Sequence, residues 1–333
     1  MKRRLSLVLM VILIMSALVA CGGTNADDKG ASKTLRLAHN MSEDHPIHKA
    51  LVSFSESVEE KTNGAIKFNI SSNGILGSET EVLEQLQNGS VDITKVSAGA
   101  LESFSEDYSV FSIPYIFTSD DHYRAVMESD LPESIYKSTE DKGFIGLSYY
   151  DSGARSFYTK DQAIETPDDL KGLLLRVMDS KTAIDMVKLL GGTPTPLAYN
   201  EIYTALQQGV IDGAESNPTA LTTGQHGEVA KAFSFTEHTN IPDIIVINTK
   251  TWEGLTEDEQ KAFQEAADES RVEHTKLWET AIEEAIEEAK GMGVKFNEVD
   301  KAPFIEKVQP IHEKYSENER MAELIEGIKE LDK

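Results

Sequence analysis

Residues 167–218 read PDDLKGLLLRVMDSKTAIDMVKLLGGTPTPLAYNEIYTALQQGVIDGAESNP, and the punctuation of this stretch decides the fold. Thr166 ahead of Pro167, Asp168 and Asp169 is a capping and turn signal, and after Lys171 a glycine, Gly172, admits the chain to a strand. Leu173, Leu174, Leu175 and Val177 surround Arg176, so that strand is mostly buried. A helix is expected from Ser180 to Leu190, with Ala183, Met186, Val187 and Leu190 on one face, and Gly191 and Gly192 stop it. A short strand at 193–197 and a second helix from Asn200 to Gln208 follow. Strands and helices therefore alternate in the α/β manner.

The arginine inside that strand sets a physical problem. An uncompensated buried charge costs several kcal/mol, so Arg176 needs an anion. Either one of the chain's 57 acidic residues faces it, or the protein leaves room for a carboxylate from outside. The guanidinium suits the second role because its fork makes two parallel hydrogen bonds to one carboxylate and never loses its proton.

Outward from this stretch, the α/β order continues. TLRLAH at 34–39 alternates like a first strand, and residues 45–62 form a helix with Ala50, Leu51, Phe54 and Val58 at helical spacing. AIKFNIS at 65–71 is a second strand, and a helix from Glu79 to Asn88 ends at Gly89 before VDITKV. The apolar run 110–117 around Pro114 reads as a buried connector. Residues 144–150 form a strand leading out of the first lobe, which places Arg155, just past Gly153, where a crossing segment faces a cleft. PDIIVIN at 242–248 reads as a strand returning to the first lobe. From Thr256 to Gly291 the pattern is almost unbroken helix, opened by a Thr256/Glu259 capping box, with Trp278, Ile282 and Ile286 on one face. At 1.5 Å per residue it would reach ~50 Å, enough to brace two lobes. The Glu-rich outer side is a solvated face, and 303–333 is a last amphipathic region.

The beginning of the chain has a different character. Lys2, Arg3 and Arg4 precede an apolar run of 16 residues, 5–20, and then Cys21. A basic start, an apolar core shorter than the ~20 residues of a bilayer span and small residues before a cut site are a secretory signal, assigned to residues 1–20. Leu18, Val19, Ala20 and Cys21 look like a lipobox, with Cys21 lipidated and residues 21–33 a flexible tether to the outer face of the membrane. As the only cysteine, Cys21 excludes disulfides and multi-cysteine metal sites. Removing residues 1–20 moves the formal net charge from −25 to −28, which excludes nucleic acid as a partner. Six arginines remain beyond the leader, at 36, 124, 155, 176, 271 and 320.

Nothing points to an enzyme or a cofactor. The chain has eight histidines but no HExxH, GxSxG or GxxxxGK[ST]. Asp44, His45 and His48 could be drawn as a metal cluster, but no third and fourth ligand stand at metal spacing, which leaves His45 as a helical cap. About 300 residues exceed one ordinary core, so two lobes are expected: 34–152 with 243–282, and 153–242 with 283–333.

The blocks AHNMSEDHPIHKAL, SNGILGSETEVLEQLQNGSVDI, SVFSIPYIF, GARSFYTK and the 167–218 stretch, in this order, resemble the solute-binding proteins of tripartite ATP-independent periplasmic (TRAP) transporters, the C4-dicarboxylate-binding family in the broad sense. The resemblance implies a two-lobe periplasmic-binding-protein-like α/β fold with a central cleft and a bracing helix. It implies capture of an organic-acid anion without chemistry or cofactor, and delivery to the small and large membrane subunits of the transporter. By resemblance, Arg176 is the carboxylate-clamping arginine and Arg155 a second cleft arginine, whose alternative is a salt bridge at the lobe edge. Asn217 matches a hydrogen-bonding residue and Tyr199 an aromatic packed on the solute, while Asn40 looks like a first-lobe contact. Both asparagines also suit plain turns. Sialic-acid binders carry an amide and a glutamate where this chain has Asp179 and Ser97. An extra carboxylate at Asp179 or Glu215 adds nothing for a small dicarboxylate, whereas sugar hydroxyls donate well to it. YYDSGARSFY, RVMDS and DGAESNP are similar to the branch taking hexuronates, so glucuronate or galacturonate is expected ahead of succinate, malate or fumarate. A sensory or structural surface lipoprotein is the competing class.

Overall fold

A computed structural model describes residues 32–332. The signal peptide expected at 1–20, the expected lipidation site Cys21 and nearly all of the expected tether lie outside these residues. In chain order the strands are β1 (Lys33–Ala38), β2 (Ile66–Ser71), β3 (Ile93–Ser97), β4 (Phe144–Tyr150), β5 (Arg155–Thr159), β6 (Leu174–Val177), β7 (Thr193–Pro196), β8 (Gly213–Ser216), β9 (Ala232–Thr239), β10 (Asp243–Asn248) and β11 (Lys295–Glu298). They make two sheets. The first has the order β2-β1-β3-β10-β4 and the second β11-β9-β5-β8-β6-β7.

In each sheet one internal strand, β10 in the first and β5 in the second, runs against all the others. β1 runs parallel to β2 and β3, while β10 pairs antiparallel with both β3 and β4. In the second sheet β6 is parallel to β7 and β8, and β5 is antiparallel to β8 and β9. The chain thus passes between the sheets twice through strand connections, at 151–154 and 240–242. The first crossing turns on Gly153, at φ +63, whose amide donates to Asp151 Oδ1 at 2.8 Å. A Cβ there would stand 3.3 Å from the Trp278 ring, so backbone conformation and space both call for glycine.

Side-chain caps set most helix starts. His45 Nδ1 accepts from Ile47 N at the head of helix Pro46–Lys61, Ser180 caps Lys181–Leu190, and Thr256 with Glu259 forms the capping box of the long helix Glu257–Gly291. The long helix packs on helix Pro46–Lys61 and β4 at one end and on Thr219–Thr222, beside the second sheet, further along. Its buried line differs from the sequence expectation. Trp278 is buried, but the neighbouring positions are Ala285 and Ala289, with Ile282 and Ile286 only half-buried. Small residues let the helix approach the sheets closely, and the isoleucines fall to the flank.

One apolar cluster runs through both sheets, joining Val96 and Ile244 to Phe157, Leu175 and Met186, and the C-terminal helices Ala302–Ser316 and Glu319–Lys329 cover it. Those two helices part company. The first packs on helix Lys181–Leu190, while the second packs on helix Leu131–Tyr136 and the turn Glu106–Ser112 of the first-sheet side. The expected assignment of all of 283–333 to the second lobe therefore does not describe the packing, because Met321, Leu324, Ile325 and Ile328 bury their apolar stripe against the other side.

Candidate functional site

Between the sheets lies a cavity of about 650 Å³. Arg176, Arg155, Asn217 and Tyr199 reach it from the second sheet and the segments around it, and Asn40 and Ser97 from the first. Asp179 stands exposed on its rim. Glu215 does not line it. Thus seven of the eight residues singled out in the sequence converge on one space, and the eighth lies behind its wall.

The two arginines meet different fates. Arg155, at the start of β5, is held by Glu215 of the neighbouring β8: Nε donates to Oε2 at 2.6 Å and a terminal nitrogen to Oε1 at 2.9 Å and to the Glu215 carbonyl at 2.7 Å. Arg155 thus forms a salt bridge while still lining the cavity. Glu215 also has His238 Nε2 at 3.5 Å. Burial acts against its charge, yet Arg155 and His238 outweigh it and hold the carboxyl down at about 2. The use foreseen for Glu215, accepting sugar hydroxyls, is thereby corrected: its oxygens are occupied by the protein.

Arg176, on β6, has a single protein partner, the carbonyl of Leu197, which accepts from Nε at 2.9 Å. Among the described residues no carboxylate lies within salt-bridge distance, although Arg176 is only 4% exposed. Burial first, and the nearby Arg155 charge as well, pull its pKa below the ordinary arginine value, with Glu215 acting the other way. Every other arginine among the described residues has a carboxylate partner: Arg36 with Asp92, Arg124 with Glu279, Arg155 with Glu215, Arg271 with Glu128 and Arg320 with Asp107. Arg176 alone is a buried cation facing open space with its terminal nitrogens unclaimed.

Across the cavity the first sheet carries a polar wall that the sequence reading missed. Lys95, from β3, is fully buried and places its ammonium between Asn40 Oδ1 (3.1 Å), Asp243 Oδ1 (3.1 Å) and Glu79 Oε1 (3.4 Å). Burial alone would lower its pKa, but Asp243 and Glu79 raise it, so the ammonium is charged. Ser152 Oγ donates to Asp243 Oδ2, and Ser97 N donates to Glu79 Oε1 at 3.1 Å. A lysine inside the apolar ITKVS strand is the same signal that exposed Arg176 in LLLRV, and the same rule would have found it.

The third side is formed by the long helix and the N-cap of helix Pro46–Lys61. Trp278 lines the cavity, stacked on His274 at 5.6 Å, and His274 in turn stacks on Tyr150 at 4.7 Å. Because His45 Nδ1 accepts from Ile47 N, its Nε2 carries the proton and donates to Thr219 Oγ1 at 3.2 Å. Thr219 then donates to Asn217 Oδ1 at 2.6 Å, which also accepts Thr219 N. Asn217 is thus a turn-maker through its oxygen, while its amide hydrogens are not used by another protein group. No group of three or more metal-ligating side chains occurs among the described residues, and His45 is the helical cap foreseen for it.

This arrangement can accept an anion and offers hydrogen-bond partners around it. Among the described residues no helix is long and apolar enough to cross a membrane. The sequence profile of the DctP family, bacterial extracellular solute-binding protein family 7, matches residues 37–318. An uncharacterised protein of Salmonella typhimurium, YiiZ, is 45% identical over 297 residues, covering 88% of this chain and 90% of that one. A TRAP periplasmic solute-binding protein from Anaerococcus prevotii, solved with bound D-glucuronate, superposes with a TM-score of 0.89 at 37% identity, covering 90% and 98% of the two chains. One from Sulfitobacter, solved with bound β-D-galacturonate, gives 0.85 at 36% identity, covering 88% and 98%.

Proposed function

Because the chain belongs to the bacterial extracellular solute-binding proteins of family 7, the solute-binding proteins of TRAP transporters, we propose that its solute is a hexuronate such as glucuronate or galacturonate. Arg176 clamps the carboxylate. The observation that carries this reading is the unpaired guanidinium: a buried cation without a counterion, beside a cavity of about 650 Å³, is a site for an anion that comes and goes. Asn217 and Asn40 contribute amide donors from opposite walls, Tyr199 packs on the ring, and Asp179 and Ser97 stand at the margin. Arg155, held by Glu215, lines the same cavity and places a second guanidinium near the clamp. Hexuronates bound in relatives of similar fold support the solute class over C4-dicarboxylates.

In the same reading, residues 1–20 export the protein and Cys21 is lipidated, so the binding unit works tethered to the outer membrane face and hands its solute to the two integral subunits. Residues around the first sheet and around the second constitute the two lobes that close on the ligand.

Titration of the purified protein with D-glucuronate, D-galacturonate and succinate tests the solute. A ligand at a hundred times its Kd raises stability by about 2.7 kcal/mol, which a thermal melt resolves. Melting shifted by the sugar acids and not by succinate is the expected outcome. A shift with succinate alone returns the protein to the dicarboxylate class, and no shift with any organic acid leaves the sensory or structural surface role.

A further inference from the structure

We propose that the first-sheet wall is a filter against a second carboxylate: Glu79 and Asp243, held by the buried Lys95, admit a ligand end that donates hydroxyl hydrogens and reject one that carries charge. The inference rests on the hexuronate reading and sharpens it. The protein would take a hexuronate but refuse the corresponding six-carbon diacid, the aldarate, which is open-chain and carries a carboxylate at each end.

The argument starts from the three hydrogens of one ammonium. Asn40, Asp243 and Glu79 take all three, and the Lys95 side chain is 0% exposed, so no positive charge on this wall is left for an incoming anion. What lines the cavity is the other side of the network: Glu79, Asp243, Asn40, Ser97 and Ser152, with Lys95 behind them. Two carboxylates share one ammonium, and the wall therefore keeps net negative charge. Asp243 is satisfied at both oxygens, by Lys95 and Ser152. Glu79 gives Oε1 to Lys95 and Ser97 N, while Oε2 has no protein donor. Among the described residues that oxygen has no partner, and Glu79 lines the same cavity as Arg176.

The two ends of the site are thus opposite in demand. The second-sheet end offers an unpaired cation and wants one carboxylate. The first-sheet end offers an acceptor and wants a hydroxyl. A ring hydroxyl satisfies Glu79 Oε2 with a charge-assisted bond, whereas a second carboxylate would be set against Glu79 and Asp243 with no free cation to neutralise it. Removing the negative charge at Glu79 while keeping its shape should relax the filter.

The test compares galacturonate with galactarate by calorimetric titration of the purified wild type, Glu79→Gln and Asp243→Asn, with a thermal melt of each to show that it is folded. Wild type is expected to bind galactarate at least about 100-fold more weakly than galacturonate. Glu79→Gln should narrow that ratio by about tenfold, and Asp243→Asn serves if Glu79→Gln does not fold. A wild-type ratio below about tenfold overturns the filter, as does a larger ratio that the folded variants leave unchanged. If wild type binds neither acid, the hexuronate reading itself falls and the filter with it. Equal binding of both acids removes only the filter.

Discussion

Two arginines of the second sheet, one on β5 and one on β6, are nearly alike in burial, 7% exposed for Arg155 and 4% for Arg176, and opposite in circumstance. The first lies in a bidentate grip from Glu215, and the second touches only the Leu197 carbonyl. Their contrast teaches that burial of a guanidinium does not mark a ligand site. The missing counterion does. At the Arg155 end the protein has completed the ion pair within itself and gained a fixed charge distribution. At the Arg176 end it has left the pair half-made, which is what the proposed carboxylate clamp rests on.

The largest effect expected from this contrast is on stability at the completed end. Arg155→Met leaves Glu215 buried without its partner and should cost about 3–5 kcal/mol in a denaturant titration. Arg155→Met with Glu215→Leu, which removes both charges, should recover most of that. Equal losses for the single and double variants would break the comparison, since the pairing would then not be what holds Arg155 in place.

At the unfinished end the effect moves from stability to binding. Arg176→Gln should weaken the sugar acid by about 2–5 kcal/mol in calorimetry while the ligand-free protein melts no lower than wild type. A variant that fails to fold would mean that Arg176 is structurally compensated after all.

Acid separates the ends further. Burial lowers His39 and His226 to about 3 and His274 to about 4, so the folded protein resists protonating them. Each contributes stability that is present above its ordinary value of 6.5 and lost as pH falls toward the lowered one, at up to ~1.4 kcal/mol per pH unit. Glu215, depressed from 4.5 to about 2, contributes stability present above 4.5 and lost as pH falls toward 2. A pH series of melts should therefore decline first below 6.5 and again below 4.5. Arg155→Met should lose the second decline and keep the first.

The smallest effect concerns the chain His45, Thr219, Asn217, which ties a first-sheet cap to the second-sheet turn. Thr219→Val strands the His45 proton and should cost about 1–2 kcal/mol, with a weaker fall in ligand affinity through Asn217. An unchanged melt would mean that water replaces the threonine hydroxyl.

Much of this was legible in the chain itself. The strand at Leu174–Val177, the Ser180 cap, the glycine stop at 191 and the return strand Asp243–Asn248 follow from local chemistry, because periodicity, capping and φ preference act within a few residues. The buried line of the long helix was not, since its isoleucines and alanines compete for one face and only the neighbours decide. Lys95 could have been found by the reasoning applied to Arg176, but its partners could not: Asp243 lies 148 residues away in sequence.

By itself the sequence carries the order of the elements, the apolar strand contexts that bury cations in need of anions, and the family. Only the tertiary structure decided which of those cations is already answered. A charge announces itself locally, through the apolar residues that bury it, whereas its counterion is chosen by which strands become neighbours. β8 beside β5 brings Glu215 to Arg155 across 60 residues, and β8 beside β6 brings no carboxylate to Arg176. That difference in strand neighbours, invisible in composition or periodicity, separates a structural ion pair from the proposed binding site.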